Sequence, residues 1–257
     1  MRRVAFVILM CSLPVPSAAQ SALARADSLY DALKPDRALV LYQQALSRDS
    51  TSYEALWKAG RAAVDVAKQL EDDDHARQTR DSIYTVAWIY AVRATRADSM
   101  DGNGHFVLAL ALGRLSRTKG GKERVRYGRL IYDEAALALK LPGRHDGPNH
   151  ILGAWHAEVE RLSSMSRFFA RTFLGGGFLS RASWDSAVVH LQAAIAEKPA
   201  YLYHHLELAE VLVDLKRYEE ARVQLNAVAI LPPTSDVMDP KYKKRAVELL
   251  EEVRSKK

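Results

Sequence analysis

The stretch LELAEVLVDLKRYEEARVQLNAVAILPP, residues 206–233, decides the fold. It contains two amphipathic segments joined by a short polar turn, and each segment has a small residue where an antiparallel partner would touch it. These small residues are Ala209 and Ala221, and Leu225 supplies a large side chain beside the second. Pro233 then ends the second segment. The stretch therefore predicts a pair of packed helices.

The same spacing of small and large residues recurs upstream, with Gly60 following Ala26 by one period of ~34 residues. This period is that of tetratricopeptide repeats, and no segment shows the alternating pattern of a strand. We therefore predict an all-α fold, a tetratricopeptide-repeat-like superhelix of antiparallel helical hairpins. Five hairpins are expected. Their contact residues are Ala26, Ala38, Tyr42 and Ala45 in the first; Gly60, Ala87 and Ala94 in the second; Leu108, Ala109 and Ala135 in the third; Leu152, Gly153, Ala187, Leu191 and Ala194 in the fourth; and Leu208, Ala209, Ala221 and Leu225 in the fifth.

One helical domain is predicted over residues 20-257, with insertions inside two of its hairpins. The first insertion, near 69-80, is polar and contains the acidic run 71–74; the second, near 163-183, contains three consecutive glycines. An amphipathic segment near 240-254 is predicted to form a helix that caps the end of the array.

Residues 1-19 are predicted to be a signal peptide. A short positive start at Arg2 and Arg3 precedes an apolar run that is about half of the ~20 residues needed to cross a membrane. Small residues follow, so we expect cleavage after Ala19, with cleavage after Gln20 or an uncleaved N-terminal anchor as alternatives. Export to the periplasm or the medium is predicted, and the single cysteine, Cys11, would be removed with the signal.

Three stretches in the second half resemble the regulator of microtubule dynamics family: NHILGAWHAEV (149–159), RFFARTFLG (167–175) and ASWDSA (182–187). The resemblance covers roughly residues 22–250. It implies tetratricopeptide-like repeats, a basic-aromatic insertion, no catalytic residues, and association with microtubules or with proteins and organelles in eukaryotic members. Microtubules could be a partner only if the chain stays in the cytoplasm, and the export signal argues against this.

No catalytic, cofactor or metal site is predicted. His150, His156 and Glu160 share one predicted helix, but they provide too few ligands for a closed zinc site. The glycines at 175–177 lack the lysine of a phosphate-binding loop. The formal net charge of +6 is mild, and the basic stretch 117–129 contains Tyr127 as its one aromatic residue, so nucleic acid is not an expected partner. The alternatives for this stretch are contact with an acidic peptide, with anionic lipid headgroups or, as the family resemblance implies, with an acidic tubulin tail, and simple exposure to solvent.

We therefore predict a non-catalytic exported adaptor whose concave groove binds a protein or peptide. The predicted groove residues are Trp57, Asn149, His156, Tyr203 and Glu207.

The segment 167–174 has a second interpretation. Arg167 and Arg171 alternate with Phe168, Phe169 and Phe173, and this pattern suits a membrane surface or a gate over the groove. The plainer expectation is that the phenylalanines pack on the neighbouring hairpin, because large apolar side chains are usually buried.

Overall fold

The structure, a computed structural model, describes residues 18–70 and 73–256. All but the last two residues of the predicted signal peptide lie outside these ranges, as do Glu71 and Asp72 of the acidic run.

The described residues form twelve α-helices and one short 3-10 helix, with no strand. The all-α prediction is confirmed. The helices are α1 (Ala18–Asp31), α2 (Pro35–Arg48), α3 (Tyr53–Lys68), α4 (Asp74–Ala97), α5 (Gly102–Ser116), α6 (Gly121–Ala138), α7 (Asp146–Arg161), α8 (Ser164–Phe173), α9 (Trp184–Glu197), α10 (Leu202–Asp214), α11 (Tyr218–Ile230) and α12 (Asp239–Val253), and the 3-10 helix is Gly177–Arg181.

The helices pack as the five predicted hairpins, α1/α2, α3/α4, α5/α6, α7/α9 and α10/α11. Successive hairpins stack on each other, which buries the apolar face that one hairpin alone would leave open. Helix α12 packs on α10 and α11 through Tyr242, Ala246 and Leu249.

Small residues sit where the helices cross, as the repeat pattern requires. Ala26, Ala38, Ala187 and Ala221 are fully buried. At Gly153 the fit is tightest, because a Cβ placed there would lie 2.6 Å from Cγ of Leu191. The close approach of α7 and α9 therefore depends on the missing side chain.

The two predicted insertions are largely helical. Only residues 69–73 separate α3 from α4, and residues 74–80 form the first turns of α4, where the Asp73 carboxylate accepts a hydrogen bond from Ala76 N at 2.7 Å. The segment 163-183 forms α8 and the 3-10 helix. Gly175, at φ +75°, ends α8, and Gly176 N donates to the Ala170 carbonyl at 2.9 Å.

The superhelix closes across its concave side. Lys68 Nζ on α3 lies 3.0 Å from Asp65 and 3.7 Å from Asp236, which precedes α12. The Tyr30 and Tyr201 hydroxyls donate to these same two carboxylates. The first hairpins and the C-terminal segment therefore meet, and the curve encloses a cavity.

Candidate binding site in the concave cavity

The cavity has a volume of about 790 Å³. Most of its wall comes from the first helices of successive hairpins, α3, α5, α7 and α10, with further residues from α6, α8 and the segment before α12. This volume lies within the ~300–1,000 Å³ typical of ligand sites in proteins.

Two arginines that form no ion pair with a described carboxylate line the cavity. The Arg61 guanidinium lies 4.1 Å from the Tyr30 ring, and its buried Nε has no hydrogen-bond partner in the described chain. Arg114 also lines the cavity and forms no ion pair with a described carboxylate. Because an enclosed guanidinium retains its charge, these groups favour an anionic ligand.

The carboxylates near the arginines are already engaged. Lys68 and two tyrosines hold Asp65 and Asp236, as described above. Burial raises the pKa of Asp146, but the His204 ring, whose Nε2 lies 3.6 Å from the carboxylate, and the charge on Arg144 outweigh burial and lower the pKa below its ordinary value. None of these carboxylates forms an ion pair with Arg61 or Arg114, although the charge of Asp65 attracts Arg114.

Two histidines meet on the cavity wall. Nδ1 of His150 lies 3.1 Å from Nδ1 of His204, so one ring donates and the other accepts. Burial lowers the pKa of His150 well below its ordinary value, and the neighbouring charges of His204 and Arg114 lower it further. His150 is therefore neutral at pH 7 and contributes a polar contact, without charge.

Glu207 adds a group that titrates near neutrality. Burial and the charge on Glu210 raise the pKa of Glu207 to about 7, although Arg161, 3.8 Å away, opposes this. The carboxyl group therefore changes its charge around neutral pH.

The cavity also has apolar lining residues. They come from α5, α6, α7 and α8 and include Phe106, Leu110, Ile131, Ile151, Val159 and Phe169. A ligand that combined an acidic group with apolar groups would match this lining.

The structure brings two of the five predicted groove residues, Tyr203 and Glu207, into this cavity. Trp57, Asn149 and His156 are not among the residues that line it. Trp57 packs beside Arg61, 5.1 Å from its guanidinium.

The other two lie between α7 and α9. The side-chain oxygen of Asn149 is 2.9 Å from Nδ1 of His190, and the His156 ring stacks on His190. His156 Nδ1 also accepts a hydrogen bond from Ser183 N at 3.3 Å. These contacts give both side chains a role in hairpin packing.

Arg61 and Arg114 were not predicted from the sequence, although a signal was present. Each follows a glycine within the first helix of a hairpin, in KAGRAAV of α3 and LALGRLS of α5, and is flanked there by small or apolar residues. A charge in such a setting indicates an inner wall, because a core position would not accept it unpaired.

The phenylalanines of α8 are more than half exposed. The expectation that they would be buried against the neighbouring hairpin is therefore wrong. Phe168, Phe169 and Phe173 are 61%, 53% and 64% exposed. Arg167 forms an ion pair with Glu160 at 2.6 Å, whereas Arg171 is exposed.

Within residues 18–70 and 73–256, no three histidine, cysteine or acidic side chains converge as metal ligands. None of the helices described there combines the length and apolar character of a membrane span.

The model of the regulator of microtubule dynamics family, proteins 1–3, matches residues 22–254 of the chain. The chain belongs to this family. The match runs from within α1 to the end of α12, which agrees with the predicted extent of the resemblance, roughly residues 22–250. The sequence matches no curated protein significantly.

Solved structures show the same fold for this family member. TTC0263, a thermophilic tetratricopeptide-repeat protein of Thermus thermophilus, is similar with a TM-score of 0.65 and 20% identity, over 91% of this chain and 100% of that one. PilF of Pseudomonas aeruginosa is similar with a TM-score of 0.54 and 13% identity, over 91% and 85% of the two chains. These similarities confirm the tetratricopeptide-like superhelix.

Proposed function

We propose that this family member is a non-catalytic adaptor that binds a protein or peptide partner in its concave cavity. The observation that carries the proposal is the cavity wall, in which Arg61 and Arg114, neither of which forms an ion pair in the described chain, share the lining with apolar side chains. Stacked helical hairpins offer such inner surfaces to extended or helical peptides.

The preferred partner segment has an acidic residue close to apolar ones. Its carboxylate would pair with the two guanidinium groups, which bind carboxylates through paired hydrogen bonds. Its apolar side chains would displace water from the lining around Phe106 and Leu110.

Site-specific photocrosslinking tests this proposal. Leu110, which lines the cavity, is replaced by p-benzoylphenylalanine, and Trp88 on α4, which is exposed and outside the cavity, receives the same replacement as the matched control. We expect one protein to crosslink in cells through position 110 and not through position 88. The double variant Arg61→Gln, Arg114→Gln should reduce its yield at least fivefold. Equal labelling from both positions, or no labelled protein, would contradict the proposal.

Export is a second part of the proposal and rests on residues 1-19 alone. It places the adaptor in the periplasm or outside the cell. N-terminal sequencing of the protein from separated cell fractions should give Gln20 or Ser21 as the first residue.

The microtubule role suggested by the family name is the alternative function. Recovery of the chain from the cytoplasm with Met1 in place would contradict export. Co-sedimentation with microtubules would then be the direct measurement of that role.

A further inference from the structure

Helix α8 is well formed but almost uncovered. The Ser163 hydroxyl accepts a hydrogen bond from Ser166 N at 3.1 Å at its start, and Gly175 ends it. Met165, Phe168, Phe169 and Phe173 recur at helical spacing and are all more than half exposed. A capped helix that leaves three phenylalanines in water indicates a contact surface.

Positive charge surrounds this apolar face. The stretches 117–132 and 163–183 contain nine of the chain's 37 Lys and Arg residues and only one of its 31 acidic residues, Glu123. The rest of the chain therefore has more acidic than basic residues. The excess positive charge of the whole protein belongs to this one region.

The cations and the phenylalanines lie on adjacent elements. Helix α6 contacts α8, and the Arg129 guanidinium of α6 lies 5.1 Å from the Phe178 ring just beyond α8. Arg124 of α6 and Phe169 of α8 line the same cavity. We call this surface the basic-aromatic face; it consists of the four exposed apolar residues of α8 and the exposed cations Lys122, Arg124, Arg126, Arg129, Arg171 and Arg181.

The six cations of this face form no ion pair with a carboxylate of the described chain. Their charge is therefore available to a partner. This distinguishes them from Lys119, which pairs with Glu123 at 3.6 Å, and from Arg167, which Glu160 holds.

We propose that the basic-aromatic face docks on the surface of an anionic lipid bilayer. Helix α8 would lie in the plane of the interface, with Phe168 and Phe173 among the acyl chains. The cations of α6 and the 3-10 helix would contact headgroup phosphates. Interfacial helices combine an apolar face with Lys and Arg in this way, and each cation near an anionic surface adds to the attraction. The proposal does not depend on the cavity having a partner.

A bilayer suits the face better than a nucleic acid does. The apolar residues include Met165 as well as phenylalanines, and they follow one helix rather than alternating with the cations along a strand-tracking groove. Insertion into lipid would remove Phe168 and Phe173 from water together, whereas Met165 and Phe169 also line the cavity.

Liposome flotation tests the proposal with the purified protein and vesicles of phosphatidylcholine with 30% phosphatidylglycerol. Vesicles of phosphatidylcholine alone are the neutral comparison. We expect flotation with the anionic vesicles and at least tenfold weaker partitioning to the neutral ones or at 0.5 M NaCl, because salt screens the cations.

Two variants separate the apolar and charged contributions. The variant Phe168→Ser, Phe173→Ser should reduce partitioning at least tenfold, and Lys122→Gln, Arg126→Gln should remove most of the dependence on anionic lipid. The matched control is Val223→Ser, Ile230→Ser, which changes two exposed apolar residues of α11 and should leave partitioning unchanged. All variants keep the same N-terminus, so their differences report on the face alone.

The changed side chains are exposed, so the variants should keep the circular dichroism spectrum of the original protein. Failure of the original protein to float with anionic vesicles would overturn the proposal. Equal losses in the α11 control would also overturn it. Binding to single-stranded nucleic acid that depends on the cations but not on Phe168 and Phe173, without flotation, would assign the face to a polyanion instead.

Discussion

The carboxyl group of Glu207 is buried in the cavity wall, where its ionisation is unfavourable. The pKa is raised from an ordinary value of 4.5 to about 7, because burial and Glu210 disfavour the charged form. An acid whose pKa rises on folding stabilises the fold below its unfolded pKa and loses that contribution as the pH passes its folded pKa. The affected window is therefore about pH 4.5 to 7.

We predict that Glu207→Gln is more stable than the original protein above pH 7 and similar to it near pH 4.5. The pKa difference corresponds to about 3 kcal/mol, which is the expected gain in the unfolding free energy of Glu207→Gln over that of the original protein between pH 4.5 and 7. Urea unfolding at pH 4.5, 6 and 8 measures it. Glu251→Gln, at an exposed position, is the control and should show no such trend; a constant offset for Glu207→Gln would contradict the prediction.

Single residues of the site were only partly predictable from the sequence. Tyr203 and Glu207 lie on the cavity wall, whereas His156 lies between α7 and α9. Side chains turn by about 100° per residue around a helix, so the inward position depends on how the hairpins curve. That curvature arises from the packing between hairpins. It cannot be predicted from the sequence of one helix.

Among the elements, the repeats were predictable because small residues recur at fixed spacing. This spacing can be recognised even when the other positions of a repeat vary. The first turns of α4 were not, since their polar composition resembles that of a loop. Helix α8 was predicted only as an insertion, yet Ser163 and Gly175 mark its two ends as a capping residue and a terminating glycine.

Two glycines inside helices should respond in opposite ways to alanine. At Gly153 the new Cβ would meet Leu191, so Gly153→Ala should destabilise the protein by about 1–3 kcal/mol through overpacking. At Gly113 nothing lies within 4 Å, so Gly113→Ala should stabilise it by about 0.5–1 kcal/mol. Chemical denaturation compares the two. Equal effects would show that the α7–α9 contact is looser than described.

The whole molecule is shaped by the contact of Lys68 with Asp236. Both side chains are buried, and they belong to parts of the chain that are far apart in sequence. The repeat pattern predicted stacked hairpins, but it contained no information on whether the stack would close, because closure depends on the accumulated rotation between hairpins.

A double-mutant cycle measures this closure. Lys68→Met and Asp236→Asn should each destabilise the protein, and their coupling should be about 1 kcal/mol or more, since they share one buried contact. Lys68→Met combined with Glu251→Gln is the control and should be additive within about 0.5 kcal/mol. Additivity of the first pair would mean that the two segments do not hold each other.

A stack whose hairpins touched only their neighbours could fray at one end while its middle stayed folded. In this protein Lys68 at the end of α3 contacts Asp236 just before α12, so α3 and the C-terminal segment are linked. We expect these two segments to separate in one cooperative step that opens the cavity, and hydrogen exchange at α3 and at α12 should report the same opening free energy.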